Sequence, residues 1–561
     1  MSPVKPLSRQ HWIDRLTAPG EDYELVAGTV WGRPCRVFKN GPGTLRDLYR
    51  DNRSEQTFLV YEQERYSFDQ VYQRTAQLAT VLVEHYRIEK GDRVAIAMRN
   101  YPEWVLAFNA ITSIGAVAVA MNALWMSEEM AFALEDSGAK LLIADQQRLQ
   151  RLGRARGDLG LKVLVARPSE PLPNGVADFD ALVNVAAATM PDIELTGDDA
   201  ATLFYTSGST GQPKGVLCSH RNILSALLNW ELELALARAE FELTAPQLAV
   251  QPSVLLAIPL FHVTGSHSVM LMSYRAQRKM VSMYKWDVAA AAALIEEESI
   301  TAFTAPPAMT GDLVDHARSS GHNLSSLVTV GGGGAPRAPD QVKKIASVFA
   351  AQPNIGWGMT ETNAIGAGIA GQDYLDHPGS TGRISAVMDL RIVDEQGVDV
   401  APGQRGELLL AGPTVFEGYW NRPEANSEAF AGNFLRTGDV GYVDAQGYIT
   451  IVDRIKDLVI RGGENIGCAE VEAALVEHPD IIEASVFAVP DRRLGEEVGA
   501  TLFCRRTLEP DAIRQFLQQR IAAFKIPRYI EFSDGGLPRI ASGKIDKKTI
   551  RASACQQWQL S

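Results

Sequence analysis

The sequence predicts an α/β protein: a large N-terminal domain of mostly parallel sheets packed with helices, a small β-rich subdomain, and a small α+β domain at the C-terminus. Short apolar runs alternate with helical patterns over the first two-thirds of the chain, as expected of successive βαβ units. From about residue 405 the character changes to denser strands and turns, and over roughly the last hundred residues it changes again to a compact α+β pattern. At 561 residues, 46% hydrophobic and 22% charged, the chain has the composition of a globular enzyme with more than one packed unit.

The elements follow in order. Ser67 and Gln70 form a capping box, and Val71, Leu78, Leu82 and Tyr86 then fall on one helical face. Apolar β-type runs occur at 94–98, 140–144, 162–166, 201–205, 254–258, 300–303 and 327–330. Residues 104–127 carry no charge, a length that could span a bilayer. Asn109, Thr112, Ser113 and Asn122 interrupt it and Gly115 divides it, so a buried helix over 104–114 followed by a buried strand over 116–121 is the better reading. Farther on, the turn 444–447 joins strands at 440–443 and 448–452. The C-terminal part places helices at 469–478 and 510–524 and strands at 482–489 and 498–504.

Composition excludes some classes of function. The formal charge of −13 argues against nucleic acid as a partner, because binding to a phosphate backbone depends on Lys and Arg. Cys35, Cys218, Cys468, Cys504 and Cys555 are scattered and odd in number, without a C-x-x-C pair. Neither a disulfide framework nor a zinc site is indicated, and a reducing cytoplasm is the natural compartment. The first ten residues lack the apolar core of a signal peptide, and no transmembrane segment is expected.

The segment Tyr205-Thr-Ser-Gly-Ser-Thr-Gly-Gln-Pro-Lys-Gly-Val216 carries the clearest chemistry. Read as a strand-to-helix loop, it has what a polyphosphate needs. Glycines let backbone N–H groups turn inward, hydroxyls donate, and Lys214 supplies a point charge. It is not a Walker loop. Counting from Gly208 puts Pro213 where the second glycine belongs and Gly215 where the Mg²⁺-binding hydroxyl belongs.

This loop resembles the phosphate-binding motif of the adenylate-forming superfamily, which includes acyl-CoA synthetases, luciferases and the adenylation domains of peptide synthetases. Further segments fit the resemblance in the family's order: Pro259-Leu-Phe-His-Val-Thr-Gly265, Gly331-Gly-Gly-Gly-Ala-Pro336, Gly356-Trp-Gly-Met-Thr-Glu-Thr362, Thr437-Gly-Asp-Val-Gly441, Asp453-Arg-Ile-Lys-Asp457 and Pro538-Arg-Ile-Ala-Ser-Gly-Lys-Ile545. Within the superfamily the chain looks most like fatty-acyl-CoA ligases.

The resemblance implies a division into an adenylation domain (1–453), a hinge (454–456) and a mobile lid domain (457–561). It also implies residue roles. Lys544 drives adenylation, Lys456 sits at the hinge, and His262 borders the substrate carboxylate. ATP and AMP are held by Thr206, Ser207, Gly208, Ser209, Thr210, Gly211, Lys214, Gly334, Ala335, Pro336, Gly356, Trp357, Gly358, Met359, Thr360, Asp439 and Arg454. Trp357 stacks on the adenine, and Asp439 accepts from both ribose hydroxyls. Glu361, with Thr206, holds Mg²⁺, a hard cation suited to oxygen ligands. Gly462 and Gly463 line the pantetheine tunnel of coenzyme A. His262, Gly265, Ser266, Gly333 and Ala364 surround the acyl group, and the small residues Gly265, Gly333, Gly334 and Ala364 suggest a roomy pocket.

The implied activity is an ATP-dependent carboxylic acid–CoA ligase. It forms an acyl-adenylate and pyrophosphate, then acyl-CoA and AMP, with a medium-to-long-chain fatty acid as the expected substrate. An aryl or cyclic acid is one alternative, and adenylation for a carrier protein or an amine is another. Only 17 residues follow Lys544, too few for a fused carrier domain, so free coenzyme A is the expected acceptor. A catalytically silent AMP-binding protein is disfavoured by the intact Lys544, Glu361 and Asp439. The resemblance leaves room for a homodimer and for peripheral contact with a membrane surface.

Overall fold

The computed structural model describes residues 8–153, 157, 159–206, 213–243, 250–335, 337–454, 457–461, 464–491, 493–540 and 544–558. Two large sheets dominate the N-terminal part. The first has eight strands in the spatial order Gly418–Tyr419, Lys214–Ser219, Ala200–Thr206, Val117–Ala120, Arg93–Ala97, Leu141–Asp145, Lys162–Ala166 and Val176–Asp178. From Ala200–Thr206 onward these strands run parallel.

The second sheet is parallel through Thr57–Tyr61, Lys279–Ser282, Ser253–Leu256, Ala302–Thr304, Thr329–Gly333 and Gln352–Trp357. It then continues into antiparallel strands Ala367–Ala370, Gly382–Ile384, Tyr448–Arg454, Phe434–Val443, Gly406–Ala411 and Asp389–Val393. The β-rich region expected from about residue 405 is therefore a continuation of this sheet, and its antiparallel strands begin earlier, at Ala367.

The alternation of side chains along each strand produces the layering. Val254 and Leu256 point into one core with Val94 and Ile96 of the first sheet and with Trp104 and Phe108 of the helix Pro102–Ser113. Leu255, between them, faces the opposite side with Val281, Phe303 and Ile295. Both faces of the strand are covered, so it reads as an unbroken apolar run. Each such side chain, once buried, contributes roughly 1.5–3 kcal/mol.

The uncharged stretch resolves as expected. Every residue of Pro102–Ser113 is buried and Val117–Ala120 is an interior strand. Gly115 turns the chain between them at φ +72°, where its missing side chain avoids Leu195 and Lys90. Among the described residues no helix is long and apolar enough to cross a membrane. The Ser67 box caps the helix Phe68–Thr80.

The C-terminal part has its own sheet of Glu464–Gly467, Leu458–Arg461, Gly495–Cys504, Ile481–Asp491 and Tyr529–Ser533. Its separate core includes Val459, Ile466, Val486 and Leu502. The helix expected over 510–524 stops at Gln518 and is followed by a short turn of helix, Ala523–Lys525. The chain bends there because Ile521 and Ile526 both turn in onto that core.

Candidate active site

The carboxyl ends of the parallel strands in the second sheet form one rim, the usual ligand edge of an α/β sheet. After Ser253–Leu256 the chain carries His262 to this rim; after Thr329–Gly333 it carries Gly334 and Ala335; and Gln352–Trp357 ends there in Trp357. The last strand reverses at once, with Trp357 pairing Ala367. The reversal holds Thr360–Thr362 in one turn of 3-10 helix, with Asn363 and Ala364 at φ 53° and 64°. Gly358 is required here, since a Cβ would lie 2.4 Å from the Ala364 carbonyl carbon.

Asp439 reaches the rim from the antiparallel half, on Phe434–Val443, in register with Arg454. Its Oδ2 accepts from Trp357 Nε1 at 2.8 Å, and its Oδ1 pairs with Arg454 Nε at 3.0 Å. Both oxygens that the sequence reserves for a ribose are already engaged, each with lone-pair capacity left over. The same bond orients the Trp357 ring.

Glu361 is buried, and burial raises its carboxyl pKa against the opposing hydrogen bond from Tyr419. Tyr419 Oη donates to Glu361 Oε1 at 2.8 Å. Lys214 Nζ lies 5.1 Å from the centre of the Tyr419 ring, a distance at which cation and π face attract. Tyr419 thus touches both the carboxylate and the lysine expected around the phosphates. Sequence reasoning missed it. It stands 58 residues from Glu361 and reaches Lys214's strand only because Gly418–Tyr419 pairs with Lys214–Ser219.

The loop before Lys214 differs from the sequence expectation. Ala200–Thr206 and Lys214–Ser219 pair antiparallel, with Thr206 opposite Lys214. The segment therefore joins two strands, and the helix His220–Glu240 starts only after the second, capped by Ser219. Thr206 Oγ1 donates across this hairpin to the Lys214 carbonyl at 3.5 Å. Ser207, Gly208, Ser209, Thr210 and Gly211 lie outside the described residues, as do Pro336, Lys456, Gly462 and Gly463.

Lys544 comes from the C-terminal part, on a hairpin closed by the Arg539–Ile545 bridge and by Ile540 N donating to Lys544 O at 2.8 Å. Arg539 of this hairpin reaches the charge of Asp312 in the N-terminal part. Lys544 is an exposed residue, yet the protein around its ammonium lowers its pKa by desolvation. Arg454 acts in the same direction, and Asp439 and Glu361 oppose it. His262 is lowered to about 4, by burial first and then by the charge of Lys544; at neutral pH it is an uncharged imidazole. The site thus gathers Lys214, Arg454 and Lys544 around Glu361 and Asp439, a net positive field suited to a polyphosphate.

Around the expected acyl pocket the small residues have packing reasons. A Cβ on Gly265 would lie 2.3 Å from the Pro259 carbonyl oxygen, and one on Gly333 would lie 2.4 Å from that of Gly356. Ser266 has no exposed surface, and its hydroxyl bonds to the His262 carbonyl at 3.1 Å and to His267 Nδ1 at 2.9 Å. It sits in a π-helical segment, Thr264–Leu271. Gly334 differs: at φ +81° a Cβ would meet nothing within 4 Å, so it faces open space.

Comparison with known proteins accounts for this arrangement. Residues 49–420 match the family model described as AMP-binding enzyme, and residues 470–544 match the AMP-binding enzyme C-terminal domain. The chain belongs to the AMP-binding enzyme family. It is 32% identical over 493 residues to a 2-succinylbenzoate–CoA ligase of Bacillus velezensis, covering 88% of this chain and 94% of that one. It is 31% identical over 474 residues to a long-chain-fatty-acid–CoA ligase of Mycobacterium tuberculosis, covering 83% and 88%. Among solved structures it resembles an anthranilate CoA ligase in complex with anthranoyl-AMP, with a TM-score of 0.84, 26% identity, and coverage of 92% and 98%. This family member is an AMP-forming acid–thiol ligase that uses ATP, Mg²⁺ and coenzyme A.

Among the described residues no three His, Cys, Asp or Glu side chains are grouped to hold a metal. A buried carboxylate with one oxygen fixed by Tyr419 fits a Mg²⁺ that takes its remaining ligands from phosphates and water.

Proposed function

We propose that this ligase activates a medium-to-long-chain fatty acid. The observation that carries the assignment of roles is the position of Lys544, brought by the C-terminal part into the field of Glu361, Asp439, Arg454 and His262. In the first step a carboxylate oxygen attacks the α-phosphorus of ATP, the bond to the β-phosphate breaks, and pyrophosphate leaves. Two anions must approach, so the cations around the cleft supply the stabilisation. Lys544 faces the carboxylate and the α-phosphate, Thr360 donates to that phosphate, and Lys214 with the 207–211 segment holds the outer phosphates. Mg²⁺ on Glu361 supplies further charge neutralisation when bound. Trp357 stacks on the adenine, held by its bond to Asp439, which also accepts from the ribose. Neutral His262 borders the acid without adding a charge.

In the second step the thiol sulfur of coenzyme A attacks the acyl carbon, the C–O bond to AMP breaks, and the thiol proton passes to solvent. Lys544 is no longer needed, and residues 457–561 rotate about 454–456 to bring Gly462 and Gly463 to the tunnel. A cytoplasmic enzyme taking free coenzyme A is the setting that suits this chemistry.

An aromatic acid is the second reading, supported by the likeness to the anthranilate and succinylbenzoate ligases. A panel of carboxylates scored for pyrophosphate release and then thioester formation separates the two. For a fatty acid, kcat/KM should rise about fourfold per methylene, from roughly 0.8 kcal/mol each, until the pocket ends. A flat profile from acetate upward with a preference for benzoates selects the aromatic reading. ADP as product would end the adenylation mechanism altogether.

A further inference from the structure

The helix Cys468–Val476 opens the first helical layer of the C-terminal part, and its own sequence cannot cap it. Gly467 occupies the N-cap position and has no side chain to offer; a Cβ there would lie 2.9 Å from the Val452 carbonyl oxygen. The N–H groups of the first turn need an acceptor from elsewhere. One comes from the other side of residues 454–456. Asp453, the penultimate residue of Tyr448–Arg454, is fixed in the large sheet opposite Val440. Its Oδ2 accepts from the Ala469 N–H at 3.0 Å, while its Oδ1 accepts from its own neighbour, Arg454 N, at 2.8 Å.

Asp453 is buried, at 6% exposure, and its surroundings connect it to the arm that carries Lys544. Lys547 stands three residues after Lys544 at the start of the helix Lys547–Gln557. Its ammonium pairs with Glu472 at 2.9 Å, and it lies within charge reach of Asp453. Glu472 is on the same helix that Asp453 caps, and its Oε1 also accepts from Val486 N at 2.7 Å. A carboxylate of the large part, a helix of the small part and the lysine next to the Lys544 hairpin thus form one half-buried contact.

We infer that Asp453 is a positioning residue: a helix cap supplied across the hinge that holds the C-terminal part in the orientation where Lys544 faces the acid and the α-phosphate. The inference rests on the two-step reading above. Rotation about 454–456 carries the helix away from Asp453, so the cap exists in one orientation and is absent in the other. Its strength enters directly into the balance between them. An N-cap acceptor changes such a balance by about fivefold. Adenylation draws on one orientation and thioester formation on the other, so the ratio of their rates follows the same factor.

The test uses the full-length protein. In the parent, hydrogen exchange at the Ala469 amide should be slow without any substrate; rapid exchange there would overturn the cap. In single turnover, Asp453→Ala should lower the ratio of acyl-adenylate formation to thioester formation from pre-made acyl-adenylate by about fivefold. Asp453→Asn keeps an oxygen that can accept from Ala469 and should hold the ratio within about twofold of the parent. If Asp453→Ala slows both steps equally, or leaves both unchanged, the residue is only structural and the inference fails. If the parent forms no acyl-adenylate from any acid, the functional reading fails, and the Ala469 exchange still decides the contact.

Discussion

The two sides of the cleft are built in opposite ways. On the side of the large sheets, Tyr419 is tied to Glu361 by a hydrogen bond, and Asp439 to Trp357 by a hydrogen bond and to Arg454 by an ion pair. On the other side, Lys544 sits on a short hairpin with open surface, and among the described residues its ammonium makes no hydrogen bond. The difference teaches a division of labour. On the proposed two-step mechanism, groups needed in both half-reactions are pre-organised by the sheet, whereas the group proposed to act in only one is mounted on the C-terminal part.

The sharpest way to break the comparison is to remove the movable group. Lys544→Ala should slow acyl-adenylate formation by roughly 10²–10³, the loss expected on removing one pre-organised charge stabiliser. Thioester formation from pre-made acyl-adenylate should stay near the parent rate. Single-turnover measurement of each step reads the split, and equal slowing of both would put Lys544 with the fixed groups. A thermal melt matching the parent's excludes unfolding as the cause.

Acid should attack the fixed side first. Burial lowers His220 to about 4, His262 to about 4 and His267 to about 3, and all three belong to the large part. His220 Nδ1 accepts from Leu45 N at 3.1 Å, which requires an unprotonated nitrogen. Because these folded-state values lie below the unfolded one near 6.5, their stabilisation is complete above about pH 6.5. It is lost as pH falls toward about 4, by up to ~3 kcal/mol for each group. Melting temperature measured from pH 7 to pH 4.5 should fall steeply; a flat profile would show that these imidazoles are free to charge.

Backbone crowding on the fixed side predicts a smaller loss. Gly332→Ala places a Cβ 1.9 Å from the Ala305 carbonyl oxygen at φ +153° and should cost about 2–3 kcal/mol in denaturant unfolding. Gly334→Ala meets no atom within 4 Å and carries only the backbone cost of its positive φ, about 1 kcal/mol. Similar losses for the two would mean that the neighbouring strand yields easily.

The smallest effect sharpens the role of Tyr419. Tyr419→Phe removes one hydrogen bond to a carboxylate and should weaken the apparent Mg²⁺ affinity in adenylation by about 1–2 kcal/mol. Melting temperature should change little, since the ring and its contact with Lys214 remain. A titration of rate against Mg²⁺ that is unmoved by the substitution would detach Tyr419 from the metal site.

Much of this was readable before folding. Strand alternation, the Ser67 capping box and the paired helix and strand within 104–127 follow from local periodicity and side-chain chemistry, while the order of the glycine- and hydroxyl-rich segments was legible through the family resemblance. Periodicity and side-chain chemistry are short-range properties that each segment carries by itself. What faces what was not readable. The phosphate segment turned out to join two antiparallel strands, because hairpin pairing with Lys214–Ser219 is settled by the sheet and not by the loop. Gly265 and Gly333, read as space for an acyl group, are small because neighbouring backbone passes within 2.3–2.4 Å of where a Cβ would sit. Tyr419 met Glu361, and Asp453 met Ala469, only through pairing between distant parts of the chain. The sequence by itself determined which chemical groups the protein owns and along which elements they lie. The tertiary structure alone decided which of them share a hydrogen bond, because such a bond holds only over about 3 Å and strand pairing brings that distance about.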